Sequence, residues 1–305
     1  MTDYAVLRTP LLPAVRELFR ASQRNLTVVS PFVNVFGLNV LREALGGKTH
    51  KTRQLTILTS LSVRSIRDGS LDLDSLVAFC KQYQECKVQN LPGLHAKVYI
   101  ADQSLAIVTS ANLTRGGLVG NYEYGMLIRD GRTAARVHAD MSDYANLGAD
   151  LELRDLEQLA ARAEELQSAA KNSEKALRGS IAWKALSSRI DALRDNLLRT
   201  RVRAKSVNSI FADTIRYILR QGPLNTVDLE WRVQATHPDM CDDTIDRVID
   251  GVRFGKKWKH MVRNSQQFLK RKGEIEFGHG FWQLTGQIRA PKNLDATHRG
   301  GGLGQ

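Results

Sequence analysis

The chain has 305 residues, 42% of them hydrophobic and 25% charged, enough to bury a real core in two domains. Its net charge of +12 is unevenly spread: after residue 250, eleven Lys and Arg stand against three Asp and Glu, a local excess of +8. No apolar run reaches the ~18 residues needed to span a bilayer, and MTDYAVLRTPLLP has no basic stretch leading into a long apolar one, so a cytoplasmic, membrane-free protein is expected.

Taken in order, Pro13 to Ala21 sets Val15, Leu18 and Phe19 at helical spacing with Pro in the first turn. Leu26 to Val29 is a short apolar strand, Leu38 to Leu45 a helix stopped by Gly46-Gly47, and Leu55 to Leu58 the next strand. Asp72 to Gln82 follows as a helix and Cys86 to Gln89 as a strand. Cys80, Cys86 and Cys241 lack CxxC or CxxH spacing, which argues against a disulfide framework or a zinc site; no metal or cofactor is expected.

Two further strands, Ala96 to Ile100 and Leu105 to Thr109, are joined by the turn Ala101-Asp102-Gln103-Ser104. Period two puts His95, Lys97 and Tyr99 on one face, while Ser110 and Asn112 share a face beyond the second strand. One hairpin thus presents imidazole, ammonium, hydroxyl and carboxamide together, a set suited to an anion. After Asn121 and Glu123, Tyr124 to Ile128 reads as a strand and residues 133 to 146 as a closing helix. Strands alternating with helices, then consecutive strands, indicate an α/β domain with a mixed sheet flanked by helices.

His95, Lys97, Asp102, Ser110, Asn112 and Glu123 stand in the pattern H-x-K-x4-D-x7-S-x-N-x10-E, which resembles the HKD signature of the phospholipase D superfamily over roughly residues 20 to 150. Thr109 occupies a place where that family usually has Gly. The resemblance implies a catalytic domain over residues 1–148 and metal-independent phosphodiester chemistry through a phosphohistidine. Only His95 is followed two residues later by Lys, and one imidazole cannot at once attack phosphorus and protonate the leaving oxygen. The chemistry therefore implies a homodimer joined near this hairpin, as single-HKD members form. In that reading Lys97, Asn112 and Ser110 hold the non-bridging oxygens and Glu123 orients the His95 ring through Nδ1. Asp102 is expected to support the turn and pair with a lysine rather than touch substrate.

Residues 149–205 lack Pro and carry two apolar stripes, Leu153 to Leu166 and Leu186 to Leu197, broken at Gly179-Ser180. They read as a helical connector folding back on itself, about four turns per stripe being short for a coiled coil. Residues 206–288 form a separate small unit: helices over Asn208 to Leu219 and Thr226 to Gln234, a short helix from Asp242 to Ile249, and a basic helix over KKWKHMVRNSQQFLKRKG. Two strands around Gly278-His279-Gly280 close it. This order resembles a winged helix-turn-helix, with Lys256, Lys257, Lys259, Arg263, Asn264, Gln267, Lys270 and His279 as candidate DNA contacts and Gln266 a further base reader. The Gly-rich tail, 289–305, is expected to be disordered.

Together these features favour a DNA endonuclease, of restriction or defence type. Two other readings stay open: a lipid phosphodiesterase, and a non-catalytic DNA-binding regulator that keeps the fold.

Overall fold

The structure, a computed structural model, describes residues 3–46, 54–67, 70–83, 85–173, 181–203 and 205–286; the side chains of 170–173 and 181–183, the Gly179-Ser180 break and the 289–305 tail lie outside the described residues. Strand β1 (Tyr4–Arg8), which the sequence did not reveal, leads into helix α1 (Leu12–Ala21), where Val15, Leu18 and Phe19 are buried. Next come β2 (Asn25–Val29), α2 (Val35–Ala44), β3 (Gln54–Thr59), α3 (Val63–Arg67), α4 (Leu73–Gln82) and β4 (Cys86–Asn90). Helix α2 begins three residues earlier than its apolar spacing suggests, because the Asn34 side chain caps it by accepting from Gly37 N. The Asp72 side chain caps α4 in the same way.

The hairpin that follows is β5 (Val98–Ala101) and β6 (Leu105–Thr109); then β7 (Tyr124–Ile128), α5 (Gly131–Leu147) and a three-residue strand, β8 (Ala149–Leu151). All eight strands form one mixed sheet in the order β1-β7-β6-β5-β2-β3-β4-β8, parallel at β2/β3 and β3/β4 and antiparallel elsewhere. On one face the core gathers Leu18 and Phe19 of α1, Leu38 and Leu41 of α2, Leu76 and Phe79 of α4, and the ring of Tyr99. On the other, Val98, Ile100 and Ala106 pack with Ala134 and Leu147 of α5.

Two helices, α6 (Leu153–Ser173) and α7 (Ile181–Val202), then fold against each other within the chain. Their Leu156, Leu159, Leu166, Leu186, Leu193 and Leu197 join the same core as the sheet, since α6 also packs on α4. The segment expected to be a connector thus begins as a sheet strand, β8 on β4, and continues as part of the sheet domain's core.

A second core lies in the C-terminal unit, built from α8 (Val207–Leu219), α9 (Thr226–Thr236), the hairpin β9 (Asp246–Ile249) and β10 (Val252–Lys256), α10 (Lys257–Arg271), and the hairpin β11 (Ile275–Gly278) and β12 (Phe281–Leu284). Leu224, between α8 and α9, exchanges backbone hydrogen bonds with Trp282 of β12. The short helix expected over 242–249 is instead the β9–β10 hairpin. Its turn is Asp250-Gly251, at φ 49° and 79°, and two successive positive φ values are what a two-residue primed turn requires. The Asp-Gly pair between Val-Ile and Val-x-Phe is itself the strongest short-range hairpin signal, and it outweighs the capping potential of Asp242 and Asp243.

Candidate active site

Antiparallel pairing brings the ends of β5, β6 and β7 together, and that is where the candidate residues meet. Regular strand starts at Val98, two residues later than alternation suggests, but the ladder reaches back as Thr109 N donates to Lys97 O at 3.1 Å. Lys97 is buried, 7% exposed, and its Nζ donates to the carbonyl of His95 at 2.7 Å. Burial pushes the Lys97 ammonium below its ordinary range, and the Glu123 carboxylate nearby only partly offsets this. The His95 ring itself stands exposed, with no hydrogen-bond partner among the described residues.

Glu123 faces the same spot from the residue before β7. Its Oε2 accepts from Ser110 Oγ and its Oε1 from Asn121 Nδ2 at 3.1 Å. Among the described residues the expected bond from Glu123 to the His95 ring is not made: the carboxylate is taken up across the β6–β7 ladder, where Ser110 is its neighbour. Ser110 Oγ in turn accepts from Tyr124 N at 3.1 Å. Asn112 is half-buried two residues further on, with its Oδ1 3.5 Å from Ser30 Oγ. The strand ends thus gather a cation, a hydroxyl, a carboxamide and a carboxylate, with the exposed His95 two residues from the cation, and these are groups that can bind and attack a phosphodiester.

Three supporting residues escaped the sequence reading. Ser30 is fully buried and its Oγ accepts from Leu113 N at 2.9 Å, fixing the Asn112 loop. Tyr99 OH holds the same loop through Ala111 O at 2.9 Å. Thr9 Oγ1 accepts from Glu123 N at 2.6 Å. A lone Ser or Thr far away in sequence gives no signal of such a role; only Tyr99, placed by period two, was foreseeable.

Thr109, standing where a glycine was expected, is accommodated across the ladder. It is paired with Gly125, where a Cβ would lie 2.8 Å from Thr109 Cβ. The small residue sits on the neighbouring strand instead.

A family model described as cardiolipin synthase, PLD-like domain, matches residues 15–144, which span β2 through β7 and every residue of the cluster except Thr9. Residues 15–144 belong to the phospholipase D superfamily. The mixed eight-stranded sheet is a phospholipase D-like fold. The DISARM protein DrmC of Bacillus paralicheniformis is 30% identical over 122 residues, covering 38% of this chain and 49% of that one. The chain thus spans about half the length of the curated relative it matches. Among solved structures, NucT from Helicobacter pylori is similar over 46% of this chain and 94% of its own, at 14% identity and TM-score 0.38. Nuc from Salmonella typhimurium, a phospholipase D family member, is similar over 49% and 97%, at 16% identity and TM-score 0.41.

Asp102, the last member of the phospholipase D pattern, is not brought to the cluster. It lies in the turn at the opposite end of β5, where its carboxylate accepts from the backbone N–H groups of Gln23, Arg24 and Asn25 at 2.7 to 2.8 Å, with no lysine paired to it among the described residues. Burial pulls its pKa up, but the three backbone donors outweigh that and hold the carboxyl below its usual range.

In the C-terminal unit the outward face of α10 carries Arg263, Asn264, Gln267 and Lys270, all exposed, with Lys257 exposed at its start and His279 at the tip of the β11–β12 hairpin. Lys256 and Lys259 are engaged with Asp246 and Glu230, each at 2.9 Å. Gln266 cannot read bases, for it is only 2% exposed in the core beside Leu269 and Val262. No helix among the described residues is long and apolar enough to cross a membrane.

Proposed function

We propose that this protein is a metal-independent nuclease that cuts DNA in a site shared by two copies of the chain. The observation that carries the reading is the exposed His95, its ring without a hydrogen-bond partner among the described residues and its carbonyl bonded by the buried Lys97 ammonium, at the strand ends that also bring Ser110 and Glu123 together. His95 of one copy attacks phosphorus and the P–O bond to the leaving oxygen breaks. His95 of the second copy gives that oxygen its proton, then takes one from water as the water attacks the phosphohistidine and frees the terminal phosphate. Lys97, Asn112 and Ser110 hold the non-bridging oxygens meanwhile.

Two features support the pairing and the substrate. Beside the cluster, Val6, Met126 and Val108 form a row across β1, β7 and β6, each at least 40% exposed on a sheet face that α5 leaves uncovered. Such an apolar patch continuous with an incomplete site suits a second copy. For the substrate, the basic outward face of α10 and the His279 hairpin support a winged-helix-like grip on DNA, with Leu224–Trp282 pairing as its third strand. The restriction or defence setting rests on the likeness to the DISARM protein alone.

Cleavage of plasmid DNA in EDTA, with single-stranded DNA, RNA and a phospholipid run beside it, tests the reading. DNA cleavage that survives chelation and is lost in His95→Ala, with mixed wild-type and His95→Ala dimers also crippled, is expected. Cleavage of phospholipid alone makes the protein a lipid phosphodiesterase, and DNA binding without cleavage makes it a regulator.

A further inference from the structure

His95 also lines a second space. A cleft of about 420 Å³ separates the segment Leu91 to Ala96 from the C-terminal unit, and its far wall is formed by Tyr217 of α8, Gln221 just beyond that helix, and Arg232 and Thr236 of α9. The two walls are held at a fixed distance. Arg201 at the end of α7 has a fully buried side chain whose Nη2 donates to Leu147 O at 3.2 Å and lies 2.8 Å from His237 Nδ1, while its Nη1 holds Asp239 at 2.7 Å. Arg220 pairs with Asp143 of α5 at 2.6 Å, and the Tyr144 and Tyr217 rings meet edge-on with centroids 5.7 Å apart. The C-terminal unit is thus docked beside the reacting imidazole.

The chemistry of the far wall is uneven in a telling way. Arg232 donates to Gln221 Oε1 at 3.1 Å, yet among the described residues no carboxylate pairs with it, whereas the cations that hold the two units together, Arg201 and Arg220, each have one. An unneutralised guanidinium opening into a cleft that ends at His95 is placed for a phosphate, and the tyrosines beside it offer an aromatic edge to a base. A volume of this size is that of a pocket for one drug-sized molecule, which is one or two nucleotides and not a duplex.

We propose that this cleft holds a single unpaired strand of nucleic acid running from His95 across to Arg232, with Arg232 binding a phosphate neighbouring the one that is cut. The proposal rests on the nuclease reading of His95, and makes α8 and α9 part of the substrate path, so that the enzyme acts on single-stranded or locally unpaired substrate. Duplex gripped by α10 must be opened before cleavage.

The test separates the two claims by measuring binding without cleavage. In full-length protein carrying His95→Ala, affinity for a fluorescein-labelled hexadeoxynucleotide is followed by anisotropy across a salt series, with and without Arg232→Ala. Losing the contact should weaken binding about tenfold, or ~1.4 kcal/mol, and reduce the slope of log Kd against log salt by about 0.7. Arg232→Lys should recover part of the affinity, and a photoreactive 4-thiothymidine in the oligonucleotide should crosslink within α8 or at Tyr144. Unchanged affinity and slope in an Arg232→Ala protein that melts normally, or crosslinks that fall only on α10, would overturn the proposal. Hydrolysis of bis(p-nitrophenyl) phosphate by the wild-type chain reports on the His95 reading separately, since that small ester need not reach Arg232.

Discussion

Lys97 shows what the site costs the fold. Its ammonium is buried and pushed below its ordinary range, so the charged form is disfavoured in the folded chain and is kept for its task. Lys97→Met, which keeps the stem and removes the charge, should leave the melting temperature equal or higher while cleavage falls at least ~10²-fold, the loss typical of one oxyanion donor. A drop of several degrees would show that Lys97 is structural instead. The Thr109–Gly125 pair makes a second point. Adding a methyl at Gly125 puts it 2.8 Å from Thr109 Cβ and the Val108 carbonyl, so Gly125→Ala should destabilise by about 1–3 kcal/mol. Combining it with Thr109→Gly should recover part of that loss, because the two residues share one space. Additive denaturation midpoints would refute the coupling.

At the scale of elements, the three strands β1, β7 and β6 matter most, since they carry Glu123, Ser110 and the uncovered apolar row. Met126 lies in the middle of that row, between Val6 and Val108. Met126→Arg should convert a dimer to a monomer in sedimentation and abolish cleavage while leaving the fold intact, because an exposed position tolerates the charge. A monomeric wild-type chain with full activity, or a Met126→Arg dimer, would sink the shared site. The β9–β10 hairpin is a contrasting element, exposed along most of both strands and held by its turn and by Lys256–Asp246 at 2.9 Å. Nothing in the catalytic chemistry calls on it.

Across the whole molecule, the joint between the sheet domain and the C-terminal unit depends on a histidine that must stay neutral. Burial, then the Arg201 charge, lowers the His237 pKa from 6.5 to about 3, and its two ring nitrogens face Arg201 Nη2 and Thr214 Oγ1. The folded value lies below the unfolded one, so the unfolded chain takes up the proton first as pH falls. Stability is therefore full above about pH 6.5 and lost on acidification through the window down to about 3, by ~1.4 kcal/mol per unit within it. Urea midpoints of the wild-type chain should fall more steeply between pH 7 and 4.5 than those of His237→Gln. Parallel slopes would show that the proton goes elsewhere.

The HKD spacing by itself determined that a strand hairpin would deliver imidazole, ammonium, hydroxyl and carboxamide to one end of a mixed sheet, and the apolar periods of α1, α4, α8 and α10 determined their buried faces. Those are local properties, because periodicity states which face avoids water whatever covers it. The strands β1 and β8 were not legible: five and three residues hold too few periods, and each is a strand only because β7 or β4, far away in sequence, offers a free ladder edge. The partners of polar groups were equally hidden. Glu123 bonds to Ser110 and Asn121 and not to His95, Asp102 to the backbone of residues 23–25, and Arg201 to His237 and Leu147. A carboxylate or guanidinium has many possible partners along a chain, and which one it meets is decided by the desolvated space that the folded core leaves around it.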